Sequence, residues 1–257
     1  MHILLTNDDG IEAAGLKALT ARVRALGRVT VAAPDRERSG VGHAITLDGR
    51  LGCRRLADDG AVVRYAVAGT PADCVKLAVS ALVERPIDLV LSGVNAGGNA
   101  GVSALYSGTV AGAIEAAMVG LPAVAISLAD TGDRANRAAL DRAADIAVGL
   151  IEHLLRAGAV GAAPLNINVP PLRDTWPIGW RVTRQSLAPY RDAFTEADEA
   201  DAFCLETGET RHETDPDTDL YQLLRGYVTV TPLGFDLTDR RVLADLRRAA
   251  DVAREEA

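Results

Sequence analysis

The sequence predicts an α/β fold built on a parallel sheet flanked by helices, and three observations carry that expectation. The chain opens on an apolar run at 3–5. The polar turn Thr6-Asn7-Asp8-Asp9-Gly10 follows, then an amphipathic run with Ile11, Leu16, Leu19, Val23 and Leu26 three to five residues apart. The same order of apolar run, polar turn and helix recurs through the first two thirds of the chain. One run, 87–91, is nearly all apolar, as a strand covered on both faces must be.

The bulk properties bound what the chain does. Its 257 residues suit one large domain, or one domain with an appendage, and 48% hydrophobic residues provide a substantial core. A net charge of -8 argues against a nucleic-acid duplex as partner, because phosphate contacts need clustered Lys and Arg. Aromatic residues make up 4%, too few for a single-strand stacking platform. No apolar run is long enough to span a bilayer, so no membrane partner is expected. The first strand begins at once and leaves no room for a signal peptide. Cys53, Cys74 and Cys204 match neither a zinc spacing nor a disulfide framework. They read as small apolar residues of a protein in a reducing cytoplasm.

Taken in order, residues 28–33 form the second strand, and Pro34 ends it. Residues 35–43 are a polar loop containing Ser39; Arg36 and Arg38 there read as solvated charge, and His43 as structural or exposed. From 44 to 69 the pattern becomes a β excursion from the main sheet, with short strands at 44–47, 51–56 and 61–67 around an Asp58-Asp59-Gly60 turn. Thr70-Pro71-Ala72-Asp73 is a capping box that opens a helix. After the strand at 87–91 comes a ten-residue loop, 92–101, with four glycines and two asparagines, Asn95 and Asn99. A small-residue helix follows at 111–119, and a start at Ser107 or Thr109 would aim free N–H groups into a cleft. Gly120 closes that helix, and a strand at 123–127 and a long helix at 138–156 complete the repeating pattern.

A strand at 165–169 ends at Pro170-Pro171, and the pattern then changes. Residues 1–171 are expected to form the core, and 172–257 a C-terminal arm packed on it. Asn166 and Asn168 either face a ligand or serve as buried, hydrogen-bonded residues. In the arm, 176–184 reads as a strand, 192–201 as an acidic loop, and 203–206 with 227–231 as the strands of an extended hairpin. Residues 206–219 should be exposed, or ordered against another subunit. A terminal amphipathic helix spans 239–256, and hairpin plus helix suggest a unit for oligomerisation.

The polar groups at carboxyl ends of successive strands are Asp8, Asp9, Ser39 and Asn95. Ligands of parallel sheets sit at that edge. Tandem carboxylates repel there unless a cation joins them. Taken singly, each residue has a plainer reading: Asp8 or Asp9 as a helix cap, Ser39 as a solvated turn residue, Ser107 and Thr109 as caps. As a set they are all oxygen donors, which disfavours zinc and favours Mg²⁺, Mn²⁺ or Ca²⁺. Such an ion beside an anion site suits a phosphate ester. No P-loop and no nucleophile-elbow motif is present.

Seven ordered motifs resemble the SurE family, survival protein E, the stationary-phase 5′-nucleotidases. They are NDDG at 7–10, PDRERSG at 34–40, GTPADCV at 69–75, SGVNxGxN at 92–99, YSGTV at 106–110, NINVP at 166–170 and GYVTVTPL at 226–233. The resemblance implies a Rossmann-like fold and metal-dependent hydrolysis of nucleoside 5′-monophosphates. It also implies side activity on 3′-monophosphates and short polyphosphate, with one divalent ion, Mg²⁺ or Mn²⁺, per subunit. Its metal ligands match Asp8, Asp9, Ser39 and Asn95. Asn99, Ser107, Gly108 and Thr109, with Ser39, match its phosphate side. Asp8, Asn95 and Ser107 are then the candidate catalytic residues. Dimers or tetramers through the C-terminal region are expected. Ser103 stands where the family often has an acid, and Gly42 where it often has a second serine. The other reading is a non-catalytic nucleotide-binding or regulatory protein on the same fold.

Overall fold

Nine strands line up in one sheet, and the order in which the chain fills them creates a cleft beside the first. The computed structural model describes residues 1–56, 60–84, 86–130, 135–173, 175–189, 192–197, 202–207 and 213–255. The strands are β1 (His2–Thr6), β2 (Arg28–Pro34), β3 (Cys53–Arg55), β4 (Val62–Val67), β5 (Leu89–Ala96), β6 (Ala123–Leu128), β7 (Leu165–Val169), β8 (Trp180–Val182), β9 (Asp192–Glu196), β10 (Phe203–Thr207) and β11 (Val228–Pro232). The helices are α1 (Ala14–Val23), α2 (Pro71–Leu77), α3 (Gly108–Met118), α4 (Arg137–Arg156), α5 (Asp219–Leu223) and α6 (Arg240–Glu255).

The sheet order is β3-β4-β2-β1-β5-β6-β7-β11-β8. The six strands from β4 to β7 are parallel; β3 and β11 run antiparallel to their neighbours β4 and β7. This is the expected α/β class. The chain leaves β1 toward β2 on one side and later returns to place β5 on the other. The order therefore turns between β1 and β5, and ligands of open parallel sheets bind at such a turn.

Alternation along β1 builds both halves of the core. Ile3 and Leu5 pack with Leu16 and Leu19 of α1 and Leu140 and Ile151 of α4, while Leu4 packs with Val75 of α2 and Val110 of α3. These side chains are almost wholly buried, each worth about 1.5–3 kcal/mol of transfer free energy. The caps sit where their residues predict them. Thr70 Oγ1 accepts from Asp73 N at 3.1 Å while Asp73 accepts from Thr70 N at 3.0 Å, and Ser107 and Asn136 cap α3 and α4.

Several expectations are corrected. The excursion contributes two described strands, and β4 pairs with β2, so it forms the sheet's edge. Residues 44–47 form no strand, because their polar groups serve α2: Thr46 N and Oγ1 donate to Asp73, and Thr70 donates to Ala44 O. The Asp58-Asp59 turn lies outside the described residues. The hairpin pairs β10 with β9, inside the supposed acidic loop, while β11 joins β7 in the main sheet. The strand at 176–184 shrinks to β8. Asp219, expected on an exposed stretch, is fully buried and accepts from Gly101 N and Ser186 N, both at 2.8 Å. Among the three cysteines, Cys74 is buried as expected, whereas Cys53 and Cys204 are exposed; none is in a disulfide. Among the described residues no helix is long and apolar enough to cross a membrane.

Candidate active site

The turn after β1 is shaped by its own side chains. Asn7 is buried and donates to Gly10 O at 3.1 Å, closing the turn that sets Asp8 and Asp9 at the sheet's edge. Arg38 N donates to Asp8 O at 2.7 Å and Ile11 N to Pro34 O at 2.8 Å, tying the loop after β2 to the same turn. Asn95 lies near the end of β5, just past the irregular pairing with β6. Three loops far apart in sequence thus meet. Asp8, Asp9, Ser39 and Asn95 line one cavity of about 750 Å³, within the usual range for small-molecule sites.

The hydrogen bonds leave oxygens facing that cavity. Asn95 Nδ2 donates to Gly97 O at 2.7 Å, which commits the amide nitrogen and leaves Oδ1. Ser39 Oγ donates to Glu37 Oε1 at 2.7 Å, so its lone pairs remain. Asp8 accepts from Thr109 N at 3.0 Å and Thr109 Oγ1 at 2.5 Å, one bond to each oxygen. A carboxylate offers about four lone-pair positions, so this does not exhaust it.

The surroundings disfavour negative charge on both carboxyls. Burial raises the Asp8 carboxyl above the usual range, against the lowering effect of the Thr109 and Gly108 hydrogen bonds. Asp9 is pushed up to about 6, first by burial and then by the charges of Asp8 and Glu37. Among the described residues, no Lys or Arg stands among the main groups that shift either. Two carboxylates, a carboxamide oxygen and a hydroxyl are a fitting donor set for a hard divalent ion. Among the described residues, no group of three or more His, Cys, Asp and Glu forms a metal cluster.

The helix start behaves differently from expectation. Its first-turn N–H groups do not stand free: Thr109 N serves Asp8 and Val110 N serves Ser107 Oγ. The positive end of α3 therefore supports the Asp8 carboxylate itself. Gly108 permits this contact, since a Cβ there would meet Asp8 Cβ at 2.8 Å. Ser107 and Asn99 both line the cavity. Asn99 donates one amide hydrogen to Ser127 Oγ at 2.8 Å. Asn166 and Asn168 hold the Asn-rich loop, donating to Asn99 O at 2.7 Å and accepting from Asn99 N at 2.8 Å. His43 bonds Glu115 at 2.8 Å and, like Arg36 and Arg38, is not on the cavity wall.

Sequence reasoning missed Glu37, and it gave no role to Tyr106, Phe194 or Leu205, all of which line the cavity. Phe194 carried one usable signal, as the lone aromatic in an acidic stretch.

Fold and cavity define an α/β protein with an acidic, oxygen-lined ligand site at the turn in its strand order. The chain belongs to the survival protein SurE family, whose model matches residues 3–192. It is 42% identical over 244 residues to "5′-nucleotidase SurE" of Pelobacter propionicus, covering 93% of this chain and 95% of that one. It is also 42% identical over 250 residues to the protein of the same name from Geobacter sulfurreducens, covering 96% and 93%. The crystal structure of the SurE protein from Aquifex aeolicus superposes with a TM-score of 0.83 at 34% identity, covering 97% of this chain and all of that one.

Proposed function

We propose that this chain is a 5′-nucleotidase that hydrolyses nucleoside 5′-monophosphates to nucleoside and phosphate, using one divalent ion, Mg²⁺ or Mn²⁺, per subunit. The observation that carries this reading is the meeting of Asp8, Asp9, Ser39 and Asn95 on one cavity, with raised carboxyls and, among the described residues, no cationic partner. Relatives bearing the name 5′-nucleotidase, about 40% identical over nearly the full length, support the reaction class.

When bound, the ion neutralises phosphoryl charge and acidifies a water. Asp8 and Asp9 supply its negative ligands, and Asn95 Oδ1 and Ser39 Oγ its neutral ones. Thr109 and Gly108 act through Asp8, holding its carboxylate in place. Ser107 keeps its hydroxyl hydrogen free to donate, because its oxygen accepts from Val110 N. Ser107 and Asn99 are thus the groups that receive phosphoryl oxygens. In this reading Asp8, Asn95 and Ser107 touch the reacting phosphoryl group or its ion.

The same reading extends to 3′-monophosphates and short polyphosphate, to a cytoplasmic setting, and to a dimer or tetramer formed through residues 172–257. That arm is not separate throughout, since β8 and β11 sit in the main sheet.

The second reading, a nucleotide-binding protein without turnover, is favoured by one observation. Ser103 lines the cavity where the family often has an acid, and its hydroxyl is given to Ala100 O at 2.7 Å. Phosphate release from a panel of nucleotides and polyphosphates, with each divalent ion in turn and a chelator control, separates the two. Ion-dependent release from AMP or GMP supports the enzyme. Binding without release supports the second reading.

A further inference from the structure

We propose that the β9–β10 hairpin supplies the nucleobase subsite of this cavity, with Phe194 and Leu205 as the apolar surface against which the base lies. The inference rests on the nucleotidase reading for the identity of the ligand, but its geometry is independent of the catalytic groups.

Phe194 and Leu205 are directly opposite each other across the antiparallel pair, so both side chains project from one face of the hairpin. They line the same cavity as Asp8 and Asp9. Among the described residues the two strands pair only with each other, and no further strand there fixes them. Phe194 is 70% exposed and Leu205 54%. Side chains of this size left in water forgo the burial that normally stabilises them, and a contiguous exposed apolar surface marks a ligand or partner site. Tyr106, 66% exposed, is a second aromatic on the same wall.

Burial sorts the cavity into two ends. Asp8 and Ser107 lie deep, while Phe194, Leu205 and Tyr106 stand at the exposed rim. An ion with inorganic phosphate satisfies only the deep end. A molecule with a charged phosphoryl group at one end and a flat, apolar ring at the other satisfies both. A nucleoside monophosphate has that form, and its sugar spans the middle. Stacking on an aromatic ring tolerates any base, since every base presents a π face. The subsite therefore selects nucleotides over base-free phosphate esters without distinguishing strongly among bases.

The test compares AMP with ribose 5-phosphate, which keeps the sugar and phosphoryl group and lacks the base. Steady-state kcat/KM and calorimetric binding with Mn²⁺ are measured for both ligands on wild type, Phe194→Ala and Phe194→Trp. In Phe194→Ala the AMP-to-ribose 5-phosphate ratio falls roughly tenfold, the scale of one base-on-ring stack. The change enters through KM, and Phe194→Trp restores the ratio. The proposal is overturned if Phe194→Ala keeps the wild-type ratio, or if both ligands weaken equally. Should wild type turn over neither ester, the nucleotidase reading fails by itself. The binding ratio then still decides the base subsite.

Discussion

Two buried carboxylates lie against the same helix and are treated in opposite ways. Glu115, in the middle of α3, is 3% exposed, and both its oxygens meet basic groups: Lys76 Nζ at 2.8 Å and His43 Nε2 at 2.8 Å. Asp8, at the start of the same helix, is 4% exposed and, among the described residues, receives neutral donors from Thr109 and Gly108. Burying a charge is costly unless it is paired. The fold itself supplies the compensation for Glu115. Asp8 receives neutral hydrogen bonds and the positive end of α3 but, among the described residues, no basic side chain, and with its neighbour Asp9 it lines a cavity. The contrast separates a carboxylate that ties elements together from one that lines a cavity.

The strongest way to break the contrast is to neutralise the cavity pair. Asp8→Asn or Asp9→Asn should lower phosphate release from AMP by at least about a hundredfold, the scale of removing one electrostatic stabiliser from a reacting centre. In chelator, Asp9→Asn should melt no lower than wild type, because it removes a charge that Asp8 and Glu37 oppose. Wild-type turnover, or a clear loss of melting temperature, would contradict this assignment.

Glu115→Gln should do the reverse. It should lower stability by about 1–3 kcal/mol in denaturant titration, the range for hydrogen bonds to charged groups, reduced because Lys76 and His43 stay partly in water. A variant as stable as wild type would show that the pairing around Glu115 contributes nothing, and the contrast would lose one side.

A further expected effect is on pH dependence. Asp9 is raised to about 6 in the folded chain, against about 3.9 for an unfolded aspartate. The folded state therefore holds this proton through the interval in which the unfolded state releases it. The Asp9 contribution to stability of the ion-free protein, read as the difference between wild type and Asp9→Asn, should fall as pH rises from about 4 to about 6, then level off. An ion must displace the same proton, so Mn²⁺ affinity measured by calorimetry should weaken about tenfold between pH 7 and pH 5. Affinity independent of pH over that range would remove Asp9 from the ligand set.

Much of the site was legible because its signals are local. The Asn7–Gly10 turn after an apolar run, the Thr70 capping box and the Ser107 cap each depend on residues within a few positions of one another. What was misread depended on partners far away. Thr109 looks like an anion-binding donor until Asp8 takes its N–H and hydroxyl. Asp219 sits in a charged stretch that composition assigns to solvent, yet it holds the backbone of Gly101 and Ser186.

By itself the sequence determined the α/β class, most of the strand and helix positions in the first 170 residues, and, through its ordered motifs, the family. Periodicity, caps and donor types are properties of neighbouring residues. Tertiary structure alone decided that β9 is the partner of β10, that β11 closes the sheet against β7, and that Phe194 and Leu205 overlook Asp8 and Asp9. Strand pairing and charge compensation are set by contacts between distant segments. Many pairings satisfy the same local pattern, and only the packed whole selects among them.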